Sequence, residues 1–199
     1  MDKSVNPILL TFPEYFETER LIIRAPQWGD GVLVNQAIRE SVEELRPWMP
    51  FAKTVPSVDE SEGFIRKARL NFLERVDLML LVFDKQTSEF VGSSGLHRID
   101  WDLRNFEIGY WIKTSRSGHG LMTEAVNGIT SFAINHLDAN RIEIRCNARN
   151  LPSARLAERA GFTLEGVLRN QTRDESGLLG DKMIFSKVKG IEYAVFAGG

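Results

Sequence analysis

One stretch, residues 107–126 (Glu-Ile-Gly-Tyr-Trp-Ile-Lys-Thr-Ser-Arg-Ser-Gly-His-Gly-Leu-Met-Thr-Glu-Ala-Val), constrains the fold more than any other. Its first part alternates: Phe106, Ile108, Tyr110 and Ile112 share one face, and Glu107, Gly109 and Trp111 the other, which is the period of a strand. Its second part opens a run with apolar residues at Met122, Ala125, Val126, Ile129, Phe132, Ala133 and Leu137, the spacing of a helix with one buried face. Between them, Ser117-Gly118-His119-Gly120 supplies glycines where the chain must turn sharply or approach a ligand closely. The first N–H groups of a helix have no internal partner and sit at the positive end of its dipole, so a phosphate is stabilised there without a basic side chain.

Spacing separates the devices that use such a turn. An NTPase phosphate loop needs four residues between its glycines and then Lys-Ser/Thr, and neither is present. A dinucleotide-binding turn needs a third glycine where Thr123 stands and an acidic residue closing the next strand, which instead ends at Cys146-Asn147. What remains is a Gly-X-Gly pair opening a helix, with a ligand-free tight turn as the alternative.

Around this unit, 199 residues favour one domain, 1–199, with a substantial core. A net charge of −2 gives no reason to expect nucleic-acid affinity. The single cysteine, Cys146, forbids an intrachain disulfide and suits a reducing cytosol; it shares a strand face with Ile142 and Ile144, as a core residue does. Three histidines and one cysteine make a zinc site an unfavoured expectation, so no metal is expected. No apolar run approaches the ~18 residues that span a bilayer, and the first residues lack the order of a signal peptide.

In chain order, residues 1–15 read as an arm over the surface or towards a neighbouring subunit. A strand is expected at Arg20–Ala25, a helix over Trp28–Arg46 with Asp30 as its cap, and a compact apolar loop at Pro47–Phe51. Ser57 and Glu60 form a capping box for a helix to about Arg75, with Phe64, Ala68, Phe72 and Leu73 towards the core. Leu78–Asp84, buried on both faces, then Phe90–Ile99, with Gly92 and Gly95 as bulge or close-approach points, and the strand through Tyr110 make an antiparallel meander. After the helix to His136 come a strand at Arg141–Cys146, a short helix over Asn150–Ala160 closed by Gly161 and Phe162, and strands at Thr163–Arg169 and Met183–Lys189 around a polar loop at residues 174–177. Residues 191–199 read as a frayed tail. The sum is an α/β (mixed α+β) fold: one mixed, mostly antiparallel sheet with helices on both faces.

This order resembles the GNAT superfamily of N-acetyltransferases. The family's acetyl-CoA loop is Gln/Arg-X-X-Gly-X-Gly/Ala; Gly118 and Gly120 match, whereas Ser115 holds the first position and Arg116 comes one place late. Residues 150–166 resemble the Asn-X-X-Ser-X-X-(Leu/Val)-X-X-X-X-Gly-Phe-X-X-Glu-Gly signature of the RimJ/RimL-like subgroup, ribosomal-protein N-terminal acetyltransferases. Residues 18–24, 47–50, 107–111 and Gly180-Asp181 before the last strand agree with it, so the likeness spans roughly 17–190.

The resemblance implies acetyl-CoA as cosubstrate, held by Tyr110, Trp111, Ile112, Ser117, Gly118, His119, Gly120, Leu121, Met122, Asn150 and Ser153. It implies a homodimer, which the unpatterned arm at residues 1–15 also suits; a cytoplasmic location and no membrane or nucleic-acid partner are the expectations from the cysteine, apolar-run and charge readings above. The acceptor it implies is the N-terminal α-amine of a protein, ribosomal among them. A small amine (polyamine, amino acid or aminoglycoside) is the alternative, and a CoA-binding module without catalysis a second one. Ser153 is the expected proton donor to the departing thiolate, although a first-turn serine also serves a helix end. Asn150 is both the expected pantetheine contact and a favoured N-cap. At pH 7 an α-amine (pKa ~8) is about a tenth neutral and a lysine amine well under ~0.1%, so an α-amine needs only modest help from a base. Glu107 is the leading candidate for that base, with an ion-paired edge carboxylate as the alternative reading. Glu165 is an outside candidate. His97 and His119 have suitable side chains, His119 better placed to donate to phosphate. The family's glutamate after Glu-Gly has no counterpart in Asn170-Gln-Thr-Arg173. Trp48, Phe51 and Trp101 either line the acceptor site or simply pack.

Overall fold

A computed structural model describes residues 6–174 and 177–194. Eight strands form one sheet in the order β1-β2-β3-β4-β5-β6-β8-β7: β1 Tyr15–Glu17, β2 Leu21–Arg24, β3 Leu78–Asp84, β4 Phe90–Asp100, β5 Asn105–Ile112, β6 Arg141–Asn147, β7 Thr163–Arg173 and β8 Leu179–Val188. Among the described strands only β5 and β6 pair in parallel, joined by the crossover helix α4, Leu121–Leu137. The remaining helices are α1 Gly31–Glu40, α2 Val42–Leu45, α3 Val58–Leu73 and α5 Leu151–Arg159. The mixed, mostly antiparallel sheet with helices on both faces is the architecture expected.

The two faces of β3 show why. Leu78, Leu80 and Val82 join the larger core with α4 residues Val126 and Ile129, whereas Met79, Leu81 and Phe83 join a second core with Val34 and Ile38 of α1 and Ile65 and Ala68 of α3. Strict alternation of side chains splits one apolar run between two layers. The meander β3-β4-β5 is antiparallel throughout, with an extra residue, Val91, beside Gly92 in β4 and a second register shift between His97 and Asp100. A Cβ at Gly92 would lie 2.3 Å from the Trp111 carbonyl oxygen, so close strand approach requires glycine there.

Several expectations are corrected. Residues 1–5 of the expected arm lie outside the described residues. From Asn6 onward, the chain forms a 3-10 turn at Pro7–Leu9, buries Phe12 edge-on between Phe72 and Phe132 (centroids 6.0 and 5.7 Å), and adds β1 to the sheet. Of residues 6–15, Phe12 is the buried one, seated in that aromatic slot, while Ile8, Leu9 and Tyr15 stay exposed, so the described part of the arm runs over its own chain's surface and is pinned by Phe12. Asp30 makes no side-chain cap; its carboxylate takes both Arg24 nitrogens at 2.7 Å. The capping box at Ser57 and Glu60 is present. In the helix that follows, Ala68 and Phe72 face the core but Phe64 and Leu73 are exposed at 60% and 42%, and Ile65 takes the inward position instead. The closing hairpin is longer than expected, and Gly180 and Asp181 lie within β8 rather than before it. Of its loop, Glu175 and Ser176 lie outside the described residues. Of the expected tail, Tyr193 is anchored by its hydroxyl to the Ala139 carbonyl at 2.6 Å, and residues 195–199 lie outside the described residues.

Candidate functional site

The site begins where β5 and β6 part. Their pairing ends at Glu107–Glu143. On its other edge, β5 is bonded to β4 through its odd-numbered residues, since Lys113 N–H donates to the Val91 carbonyl at 2.9 Å and Trp111 opposes Ser93. Antiparallel bonding alternates, so the N–H and C=O groups of Tyr110 and Ile112 face the gap on the β6 side. α5 closes that gap from the far side with its first turn.

At the gap, Tyr110 and Ser153 meet. The two hydroxyl oxygens are 2.9 Å apart, and Tyr110 also reaches the Ser153 carbonyl at 3.2 Å. The inward-facing serine has therefore found its partner across the sheet. Burial, only partly offset by the Ser153 hydroxyl, pushes the Tyr110 phenol up to about 12. Asn150 caps α5, its side-chain oxygen accepting from Ser153 N–H at 3.2 Å. Burial likewise raises the Cys146 thiol, as a core position does.

Gly118 and Gly120 both take left-handed backbone, at φ 80° and 75°, where a side chain is strained. No side chain among the described residues caps α4, so its first N–H groups carry the helix's positive dipole end without a side-chain acceptor. Leu121 and Met122 bury their side chains, so only their backbone is presented at this end of the helix. The loop is held from below. Glu124 accepts from the Thr18 hydroxyl (2.6 Å), the Arg20 backbone N–H (2.8 Å) and Arg20 Nε (2.6 Å), while Arg20 also donates to the His119 carbonyl at 3.1 Å. Burial pushes the Glu124 carboxyl up, but these hydrogen bonds outweigh it and hold it below its ordinary value. This explains Thr18-Glu-Arg20 in physical terms, a role that sequence reading alone did not assign. Arg116 is turned away, bound to Asp84 on the β3–β4 turn.

Two clefts meet at this point. One, of about 530 Å³, runs from Trp48 and Met49 past Tyr110, Ile112 and Ser117 to Asn150, Pro152 and Ser153. It continues into a groove bordered by Gly118, Gly120 and Arg159. The other, of about 370 Å³, lies across β5 and is walled by Val34, Ile38, Phe51, Phe64 and Met79, with His97 and Glu60 among its few ionisable groups. Met49, Tyr110 and Trp111 line both. Trp48 thus borders the first cleft and Phe51 the second, whereas Trp101 packs edge-on to Phe106 and donates to the Arg75 carbonyl.

The structure brings together Tyr110, Trp111, Ile112, Ser117, Met122, Asn150 and Ser153 around the first cleft, with Gly118, Gly120 and Leu121 at its end. His119 is exposed in the loop. Glu107 does not line either cleft; its carboxylate lies between Arg98 (3.3 Å) and Arg145 (3.5 Å). Glu165 is held by both Arg141 nitrogens, which lower its carboxyl to about 2 and leave it a poor proton acceptor. Sequence reading missed Pro152, Leu156 and Arg159; their spacing on one face of α5 was the available signal.

Comparison with known proteins agrees with this geometry. Residues 20–163 match the family described as the acetyltransferase (GNAT) domain. The chain is 30% identical over 182 residues to the N-acetyltransferase p20 of Bacillus licheniformis, itself uncharacterised, covering 91% of this chain and 99% of p20. It is 30% identical over 158 residues to YdaF of Bacillus subtilis (strain 168), provisionally assigned as a ribosomal N-acetyltransferase, covering 76% and 82%. Among solved structures, the microcin C7 self-immunity acetyltransferase MccE, determined with acetyl-CoA and AMP, superposes with a TM-score of 0.81 at 25% identity, covering 89% of this chain and 97% of MccE.

Proposed function

The chain belongs to the acetyltransferase (GNAT) domain family, and on that footing we propose that this acetyl-CoA-dependent N-acetyltransferase modifies the N-terminal α-amine of a protein, a ribosomal protein being the acceptor class its relative YdaF suggests. The observation that carries the reading is the Tyr110–Ser153 hydroxyl pair, 2.9 Å apart on the first cleft, with Tyr110 also bordering the second.

In this reading, acetyl-CoA lies along the first cleft with its pyrophosphate at the α4 N-terminus, and the acceptor enters the second. The amine nitrogen attacks the thioester carbonyl. The oxygen that gains charge is stabilised by N–H donors of the splayed β5 edge, at Tyr110 or Ile112. The C–S bond then breaks, and the hydroxyl pair relays a proton to the sulfur, Ser153 facing the thiolate. A phenol raised to about 12 suits a relay, because it holds its proton at neutral pH rather than resting as an anion.

The acceptor side favours a peptide over a polycation. Its walls are apolar, and Glu60 is already engaged by the Ser57 backbone N–H at 2.7 Å. A polyamine or aminoglycoside would find no cluster of carboxylates there to replace its hydration. Cytosolic location and homodimerisation belong to the same proposal; sedimentation at twice 22.6 kDa supports the dimer, and at 22.6 kDa refutes it.

Calorimetric titration with acetyl-CoA, then thiol release against peptides with free or blocked N-termini and against spermidine, tests the function. Release with free N-termini is expected. Binding without release on any amine would leave a CoA-binding module, and release on spermidine alone would reassign the acceptor.

A further inference from the structure

His97 and Asp77 form a pair that the reaction described above does not yet use. His97 Nδ1 lies 2.8 Å from an Asp77 carboxylate oxygen. Asp77 precedes β3 and His97 sits on β4, so the contact bridges the two strands at the rim of the apolar cavity. With Nδ1–H given to the carboxylate, Nε2 is left as an acceptor. That edge of the ring lies over Gly109 of β5: a Cβ there would stand 3.1 Å from Cδ2 and 3.4 Å from Nε2. Gly109 thus leaves the ring room one residue away from Tyr110, on the strand that separates the two clefts.

We propose that His97, oriented by Asp77, is the group that takes the proton from the acceptor amine in the apolar cavity. The inference rests on the transferase reading above and assigns it a base. His97 Nε2 takes one proton from the substrate ammonium and passes it to solvent. The freed lone pair forms the C–N bond, the C–S bond breaks, and the second proton lost from nitrogen restores the one that the Tyr110–Ser153 pair gives to sulfur. The sum is acetyl-CoA plus ammonium giving amide, free thiol and one proton.

The charged groups around His97 fit this role. Asp77 approaches from the β3 side. Glu107, opposite His97 on β5, is engaged by Arg98 and Arg145, and Glu60 across the cavity is engaged by Ser57. Asp77 is therefore the carboxylate that addresses the ring, and the His97 side chain is 31% exposed, open to solvent for proton release.

The test compares wild type, His97→Gln and Asp77→Asn with a peptide acceptor of free N-terminus, measuring acetyl-CoA Kd and kcat/KM from pH 7 to 9. His97→Gln should lower kcat/KM at pH 7 by about 100-fold or more, with acetyl-CoA Kd within about twofold. The deficit should narrow roughly tenfold by pH 9, as hydroxide replaces the missing base and the α-ammonium deprotonates unaided. Asp77→Asn keeps the imidazole but frees its tautomer, and should lose about 10-fold or more; it tests the same claim if the first variant does not fold. Unchanged kcat/KM in His97→Gln, or an equal deficit at pH 7 and 9, overturns the proposal, because a merely structural tie would not respond to pH in this way. A wild-type protein that binds acetyl-CoA yet releases no thiol with any amine overturns the transferase reading itself.

Discussion

Tyr110 borders both clefts, and its hydroxyl meets that of Ser153 in the first. Tyr110→Phe keeps the ring and removes the hydroxyl that meets Ser153. It should lower kcat by roughly 100-fold, the size expected when one proton-transfer group is lost, while acetyl-CoA Kd stays within about twofold. Ser153→Ala should act in the same direction, and the double variant should cost little more than either single one, because the two hydroxyls act as a unit. Additive losses would mean that they work separately. Arg20 predicts the opposite split: Arg20→Ala removes one of the three donors to Glu124 and the tie to the His119 carbonyl, so acetyl-CoA Kd should rise several-fold with kcat nearly unchanged. Glu107 shows the limit of reading residues one at a time. Strand alternation placed it on the face opposite Ile108, but only the folded chain shows Arg98 and Arg145 closing around its carboxylate.

Among the elements, the turn into α4 was the most legible, because its chemistry is local. Gly118 and Gly120 were expected to relieve the backbone, and both adopt positive φ. Gly120→Val should strain that turn by about 1–2 kcal/mol and crowd the first N–H groups of the helix. Acetyl-CoA affinity should fall at least 10-fold in calorimetry, and an unchanged Kd would remove the turn from the binding site. Less was legible where several elements compete for one residue. Asp30 has the side chain of a cap, but Arg24 on the neighbouring strand takes both its oxygens. Phe64 has helical spacing with Ala68, yet Ile65 is the residue that reaches the second core, leaving Phe64 to wall a cavity. Residues 6–17 carried too little periodicity to betray that Phe12 fills an aromatic slot and that β1 extends the sheet. The pairing of His97 with Asp77 joins residues 20 apart on separate strands and has no local signature.

At the scale of the whole molecule, acid sensitivity follows from its carboxylates. Hydrogen bonds from Arg141 lower Glu165 from an ordinary 4.5 to about 2, so its contribution to stability is complete above pH 4.5 and is lost as pH falls from there towards 2. Glu40, Glu62 and Glu124 are lowered as well and act with the same sign. Thermal melts should show Tm falling across that window. Glu165→Gln should flatten the fall slightly, since the Glu165 side chain is 41% exposed and solvent screens the pair; parallel curves would assign the acid loss to other groups. In the proposed reading, the fold brings a cosubstrate cleft and an acceptor cavity together across one splayed strand. The measurement that tests this most directly uses a peptide with one free N-terminus and one internal lysine, incubated with acetyl-CoA and the protein and sequenced by fragment mass. The account predicts a single acetyl group on the N-terminal α-amine, formed in step with free CoA thiol; acetylation of the lysine alone, or no acetylated peptide while the protein still binds acetyl-CoA, would contradict it.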